Sequence, residues 1–350
     1  MPLVIIFVSV VGILLRLWKL HGRDLWGDEI YQFTCMKPLA EPFWTHQTYG
    51  DHSCFPGEYL LHYPLVKMFP MNKWILVGPH LLINVFGFYL LYKICQIYYQ
   101  SWAGYLTAFL LYTFNSNLIF HSLEFRPYAV LPVLALASLY FSHRLWDKDF
   151  QMSKVKMFFT GVLFFLTINY HIYGIAILLL PIIFTFFYQR TQKTDFVIFP
   201  WRWFLVVCIL SVPVWVWYAS FNHLGLAPAK VQALVDTFQY IDDPLIDPFS
   251  FLKGVVGNLL GNRYLYVFLP LAFLSLVFPH PQRFKQWVFL LLLIILPLVM
   301  ILYTDVRSNY WFLQRQFIWV MSFFALWLGW CLDTFFLYLK ELRRKRASRV

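Results

Sequence analysis

Asp28 and Glu29 stand side by side in the stretch HGRDLWGDEIY (residues 21–31), just after an apolar run that opens the chain. Adjacent carboxylates next to Trp26 suit two kinds of chemistry. One is general base catalysis, in which a carboxylate within hydrogen-bond reach takes the proton of an acceptor hydroxyl. The other is ligation of a divalent cation. The plainer reading is a solvated turn with Trp26 as an interfacial anchor. A second group, His121, Glu124, Arg126 and Tyr128, lies in NSNLIFHSLEFRPYAV (115–130). The planar fork of donors on Arg126 suits a phosphate; the plainer reading has Glu124 and Arg126 pairing with each other or capping helices. Tyr170 and His171 mark a turn in TINYHIYG, where a lone histidine is more often a hydrogen-bonded interfacial residue than a catalyst. Arg307 and Arg315, in TDVRSNYWFLQRQF (304–317), add two cations before the last apolar run. No phosphate-binding loop, dinucleotide fingerprint, HExxH or paired CxxC accompanies these groups.

What positions such residues is set by composition. The chain has 350 residues, 60% hydrophobic and only 13% charged, against about 25% charged in a soluble domain. Apolar stretches of membrane-spanning length recur along it, so the expectation is an all-α polytopic membrane protein and not a β-barrel. Spans are expected at 2–20, 74–98, 102–121, 127–145, 155–171, 172–188, 203–220, 263–278, 286–303 and 317–338, about ten transmembrane helices in one domain over 1–340. Pro2–Leu15 has no basic flank before it and no small-residue cleavage site, so it reads as a retained helix.

Charge then orients the spans. Lys148, Lys154, Arg190, Arg202, Lys285 and the basic tail 341–350 fall on one set of connections; Asp24, Asp28, Glu29, Asp51, Glu58, Glu124, Asp242 and Asp243 fall on the other. The positive-inside tendency places the first set, with both termini, in the cytoplasm, and Asp28 on the outer side. The tail suits anionic membrane lipids better than nucleic acid. Two outer connections are long, 21–73 and 221–262. Within them residues 54–69 and 227–241 carry the spacing of helices lying in the membrane interface. Cys95, Cys208 and Cys331 read as apolar fillers, while Cys35 and Cys54 share the first outer loop, where a disulfide is open to them in an oxidising compartment. Mid-helix charge is scarce, which speaks against an ion pathway.

Taken in order, these motifs resemble the GT-C superfamily of membrane glycosyltransferases, in the branch of the dolichyl-phosphate-mannose protein mannosyltransferases and the lipid A aminoarabinose transferases. DLWGDEIY is similar to that family's Trp-x-Asp-Glu after its first helix. HSLEFRPYAVLPVLALASLYF is similar to its Ser-Gln-Glu-Ala-Arg-x-Tyr and the Leu-rich helix that follows, with Leu123 in place of Gln. NYHIYG and LQRQFIWVMSFFALWLG resemble two later elements. In DHSCFPGEY, Cys54 and Phe55 stand where the family has His and Pro, with His52 close by.

The resemblance implies sugar transfer from a polyprenyl-monophosphate donor to an acceptor hydroxyl on a protein, lipid or polysaccharide. The transfer is inverting and takes place on the outer face, in a bacterial plasma membrane sooner than in the endoplasmic reticulum. It implies Asp28 as base with Glu29 as the alternative, and Arg126 and Arg315 on the donor phosphate. Asp51, His52, Glu124, Tyr128 and His171 become substrate-positioning groups. No cofactor is expected and no divalent metal is needed. The chain is shorter than the larger relatives, so acceptor recognition differs from theirs or uses a partner subunit. The rival readings are a transporter or flippase of lipid-linked substrates, and a non-catalytic membrane subunit on the same scaffold.

Overall fold

The computed structural model describes residues 2–36, 56–146, 153–171, 173–191, 201–222, 270, 281–308 and 317–348. The regular structure there is helical throughout. The helices are α1 (Pro2–His21), α2 (Gly27–Met36), α3 (Pro56–Met68), α4 (Lys73–Tyr98), α5 (Trp102–Phe114) and α6 (Ser116–Ser122). A 3-10 turn (Pro127–Ala129) leads into α7 (Leu131–Trp146), α8 (Lys154–Tyr170), α9 (Gly174–Thr191), α10 (Trp201–Asn222), α11 (Pro281–Ser308) and α12 (Val320–Ala347). The span expected at 263–278, the interfacial helix at 227–241 and the Cys35–Cys54 pairing rest on side chains or segments outside the described residues.

The chain is an all-α polytopic membrane protein. Among the described residues four helices are long and apolar enough to cross a membrane: α1, α4, residues 283–300 of α11, and α12. The expected ten is a larger number, and part of the difference is length. Helices α5, α7 and α8 have 13, 16 and 17 residues, whereas about 20 are needed to cross the hydrocarbon core. The run expected as a single span at 102–121 is broken at Asn115, whose side-chain oxygen accepts the Leu118 N–H at 2.9 Å and so caps a new helix, α6.

The most enclosed helix is α12, buried almost continuously from Val320 to Thr334. It approaches α5 through glycine: a Cβ on Gly104 would lie 2.9 Å from the Gly329 carbonyl, and one on Gly329 only 2.7 Å from the Gly104 carbonyl. Small residues facing each other let two apolar helices pack backbone to backbone, the main source of helix association where lipid competes for apolar contact. Buried Asp333 locks this crossing at its end. Its carboxylate accepts the Gln100 N–H at 3.1 Å and the Ser101 N–H at 2.5 Å and pairs with Arg283. Past Thr334 the helix continues into the basic tail, so most of that tail is helical, ending at Ala347.

At the other end of α4, the end of α1, helices α2 and α3, the α6–α7 connection and the end of α8 come together. Buried Arg16 joins α1 to this region, donating to the Ser122 hydroxyl at 3.1 Å and the Gly12 carbonyl at 3.1 Å. Helix α3 occupies the place expected for an interfacial helix at 54–69. Gly57 lets its first turn lie on the end of α8, since a Cβ there would sit 2.7 Å from the Tyr170 Cα.

Candidate functional site

The site is organised by the short linker between α6 and the 3-10 turn, residues 123–126. Pro127 restricts the residue before it to extended backbone, and Arg126 has φ −150 and ψ 153. The chain turns at Leu123 and bends through Glu124–Arg126 between α6 and the 3-10 turn, with its polar groups offered to the neighbouring helices. Helix α2 takes up one of them. Glu29 is fully buried, and its carboxylate accepts the Phe125 N–H at 2.5 Å and the Trp26 N–H at 3.0 Å and pairs with Arg23. Burial pushes the Glu29 carboxyl above its usual range, against the pull of the Phe125 and Trp26 hydrogen bonds and of Arg23. Both of its oxygens are engaged, so Glu29 fastens α2 to the linker.

Asp28, one residue earlier, is half-buried. Its carbonyl lies 3.4 Å from Arg126 Nη1, which also donates to Gln32 Oε1 at 3.1 Å. Arg126 is itself buried. Tyr128 and His171 are buried on the same side, with ring centroids 5.7 Å apart in an edge-to-face arrangement. Burial first, and the Arg126 charge second, push the His171 ring down to about 3, so it is neutral at physiological pH. Its Nδ1 accepts the Tyr173 N–H at 3.2 Å. Glu124 pairs with His121 at 2.7 Å, and its other oxygen, Oε1, is buried with no hydrogen-bond partner among the described residues.

Gln32 carries the network further. Its amide donates to Glu58 Oε1 at 3.2 Å. Glu58 and His62, four residues apart on α3, and His80 on α4 form a cluster with 0% exposure at each member. Glu58 Oε1 is 3.0 Å from His62 Nδ1, and Oε2 is 3.3 Å from His80 Nε2. The Tyr170 hydroxyl donates to Oε2 from the end of α8. The far sides of the rings are fixed by backbone: His62 Nε2 lies 2.8 Å from the Leu76 carbonyl and His80 Nδ1 lies 2.7 Å from the Glu124 carbonyl. One glutamate and two histidines with donor atoms within 4.8 Å of one another are a set that could hold a metal ion.

Of the residues singled out in the sequence, Asp28, Glu29, Glu124, Arg126, Tyr128 and His171 meet in this one region. Asp51, His52 and Arg315 lie outside the described residues, as does the side chain of Arg307. The sequence reading missed Gln32, His62 and His80, and counted Glu58 only as an outer-face acid. Two signals were there to find. Glu58 and His62 have the i, i+4 spacing that puts both on one helix face, and His80 is an ionisable group inside an apolar run.

Chemically the region combines a half-buried carboxylate, an arginine with a neutral histidine and a tyrosine beside it, and a closed histidine–carboxylate cluster one glutamine away. No protein-family model, curated protein or solved structure matches the chain.

Proposed function

We propose that the protein is a membrane glycosyltransferase that moves a sugar from a polyprenyl-monophosphate donor to an acceptor hydroxyl, with inversion at the anomeric carbon. The observation that carries the reading is the contact between α2 and the linker, which sets Arg126 against the Asp28 backbone at 3.4 Å. A candidate base and a candidate phosphate ligand thus share one end of the helix bundle, the end that the charge bias assigns to the outer face.

In this reading the acceptor oxygen attacks the anomeric carbon and its proton passes to the Asp28 carboxylate. The anomeric C–O bond to the donor phosphate breaks, and its electron pair leaves with the polyprenyl phosphate. A phosphate monoester is a weak base, so no proton donor is needed, but its growing charge needs a fixed cation. Arg126 is preorganised for that by Gln32, and Arg315 is the second cation. Tyr128 and His171 shape the side of the site next to Arg126. The buried free oxygen of Glu124 is an acceptor for a sugar hydroxyl. Asp51 and His52 are assigned to substrate contact on the same loop that holds α2 and α3, and the acceptor is a protein, lipid or polysaccharide.

The test is transfer from synthetic polyprenyl-phosphate sugars to a panel of hydroxyl acceptors by purified wild type and Asp28→Asn. The reading expects turnover by wild type with inverted product, and a loss of about 10²–10⁴-fold in the variant, the contribution of a positioned base. Equal turnover by the two proteins would remove Asp28 from the chemistry.

A further inference from the structure

We propose that Glu58, His62 and His80 bind a divalent transition-metal ion, zinc by their ligand chemistry, as a buried staple joining α3 to α4. The backbone places the histidine protons. A carbonyl can only accept, so the contacts to the Leu76 and Glu124 carbonyls put the His62 proton on Nε2 and the His80 proton on Nδ1. The remaining ring nitrogens, His62 Nδ1 and His80 Nε2, are then lone pairs. Both stand against the Glu58 carboxylate, at 3.0 and 3.3 Å. Lone pairs facing carboxylate oxygens repel unless a cation stands among them. The polar neighbour that the fully buried His62 Nδ1 has at 3.0 Å is the Glu58 oxygen itself.

Reversing the tautomers would relieve the carboxylate and set bare nitrogens against two carbonyls. A metal ion uses both lone pairs and one carboxylate oxygen at once. A backbone carbonyl behind each histidine is the usual outer support of such a ligand. With metal–ligand bonds of about 2.0–2.1 Å, the corners of a tetrahedron lie about 3.3 Å apart; each ring nitrogen faces its own carboxylate oxygen at 3.0 or 3.3 Å, and one donor atom from each residue lies within 4.8 Å of the others. Two histidines and one glutamate form a recognised zinc set. The Tyr170 hydroxyl, which holds Glu58 Oε2, also lies 3.4 Å from His80 Nε2, at the edge of the donor set.

The ligands are fully enclosed, so the ion acts on position and not on substrate. It ties the interfacial helix α3 to α4, and Tyr170 brings in α8. Through Gln32 the position of Glu58 is passed to Arg126. The proposal stands on this cluster alone and does not depend on the glycosyl-transfer reading.

The test uses the full chain in detergent, purified with a tag that contains no histidine, stripped with chelator and titrated with zinc or cobalt. Wild type should take up one ion per chain by elemental analysis, show the strong visible absorption of tetrahedral cobalt, and rise in thermal midpoint with one equivalent of zinc. His62→Gln and His80→Gln should bind more than about 100-fold more weakly, and Tyr170→Phe, which loses an outer hydrogen bond, about 10–100-fold more weakly. His121→Gln, at the partly exposed partner of Glu124, should bind as wild type does. Wild type with no stoichiometric zinc, or both histidine variants binding like wild type, overturns the proposal. If those variants do not fold, wild-type cobalt decides: no absorption, or the weak band of octahedral cobalt, overturns it equally.

Discussion

Replacing Glu29 by alanine separates the two adjacent carboxylates by what each does. In the structure Glu29 Oε1 accepts the Phe125 N–H of the linker, and Oε2 accepts the Trp26 N–H that opens α2. Alanine leaves the buried Phe125 N–H without its acceptor, a loss of about 1–3 kcal/mol. It also removes the cap on α2, about 1 kcal/mol more. Arg23, still partly in contact with solvent and bonded to the Leu123 carbonyl, turns to water and adds little. The expected total is about 2–4 kcal/mol, measured by unfolding in mixed micelles of mild detergent and dodecyl sulfate. Glu29→Gln keeps an amide oxygen for Phe125 and should lose less than half of that. It should also flatten one pH dependence. The Glu29 carboxyl is raised on folding, so its contribution is full below the unfolded carboxyl range near pH 4.5 and is lost as pH rises through the raised value. Asp28→Asn, half-buried, should cost less stability than Glu29→Ala while lowering turnover about 10²–10⁴-fold. A Glu29→Ala protein as stable as wild type would refute the clasp. An Asp28→Asn protein destabilised like Glu29→Ala would refute the division of labour.

Other perturbations reach the same region from different sides. Arg126→Lys keeps the charge but loses the planar fork and the bond to Gln32, so kcat/KM for the lipid-phosphate donor should fall about 100-fold, the size of one lost transition-state contact; unchanged kinetics would take Arg126 off the phosphate. His171 has its pKa lowered to about 3 on folding, so the unfolded chain binds the extra proton between pH about 6.5 and 3. Stability should therefore fall as pH drops through that window, and His171→Gln should flatten the slope. Gly57→Ala drives a methyl to within 2.7 Å of the Tyr170 Cα, a backbone atom that cannot step aside. An overpacking loss of about 1–3 kcal/mol is expected in the same unfolding assay.

The apolar runs made α1 and α4 legible to within about a residue, and the apolar middles of α11 and α12, whose polar ends run on to Pro281, Ser308 and Ala347 beyond the expected 286–303 and 317–338, because a membrane-length run needs no tertiary partner to be recognised. What stayed hidden depended on contacts between distant segments. Asn115 looked like one polar residue inside a span; only the local competition between its side chain and the helix backbone turns it into a cap and cuts the span short. Asp28 and Glu29 drew attention as a pair of catalytic type, and the same two acids in a first turn after Gly27 were a helix start signal. That their roles divide follows from the Phe125 N–H, 96 residues away. Pro127 carried a local signal for the extended backbone of Arg126 that the motif-based reading did not use. The histidine–carboxylate cluster was half legible in the spacing of Glu58 and His62, while His80 was masked by its apolar neighbours. The linking residue Gln32 has no signature at all, since a glutamine becomes informative only when both of its ends are buried against charge.

The most direct measurement of the central claim is mass spectrometry of the lipid that co-purifies with the wild-type protein and with Arg126→Gln, extracted from the same membranes. The account predicts a polyprenyl monophosphate, with or without its sugar, enriched over bulk lipid in wild type and reduced several-fold in the variant. A wild-type extract with no polyprenyl phosphate above the level of the surrounding membrane would contradict it.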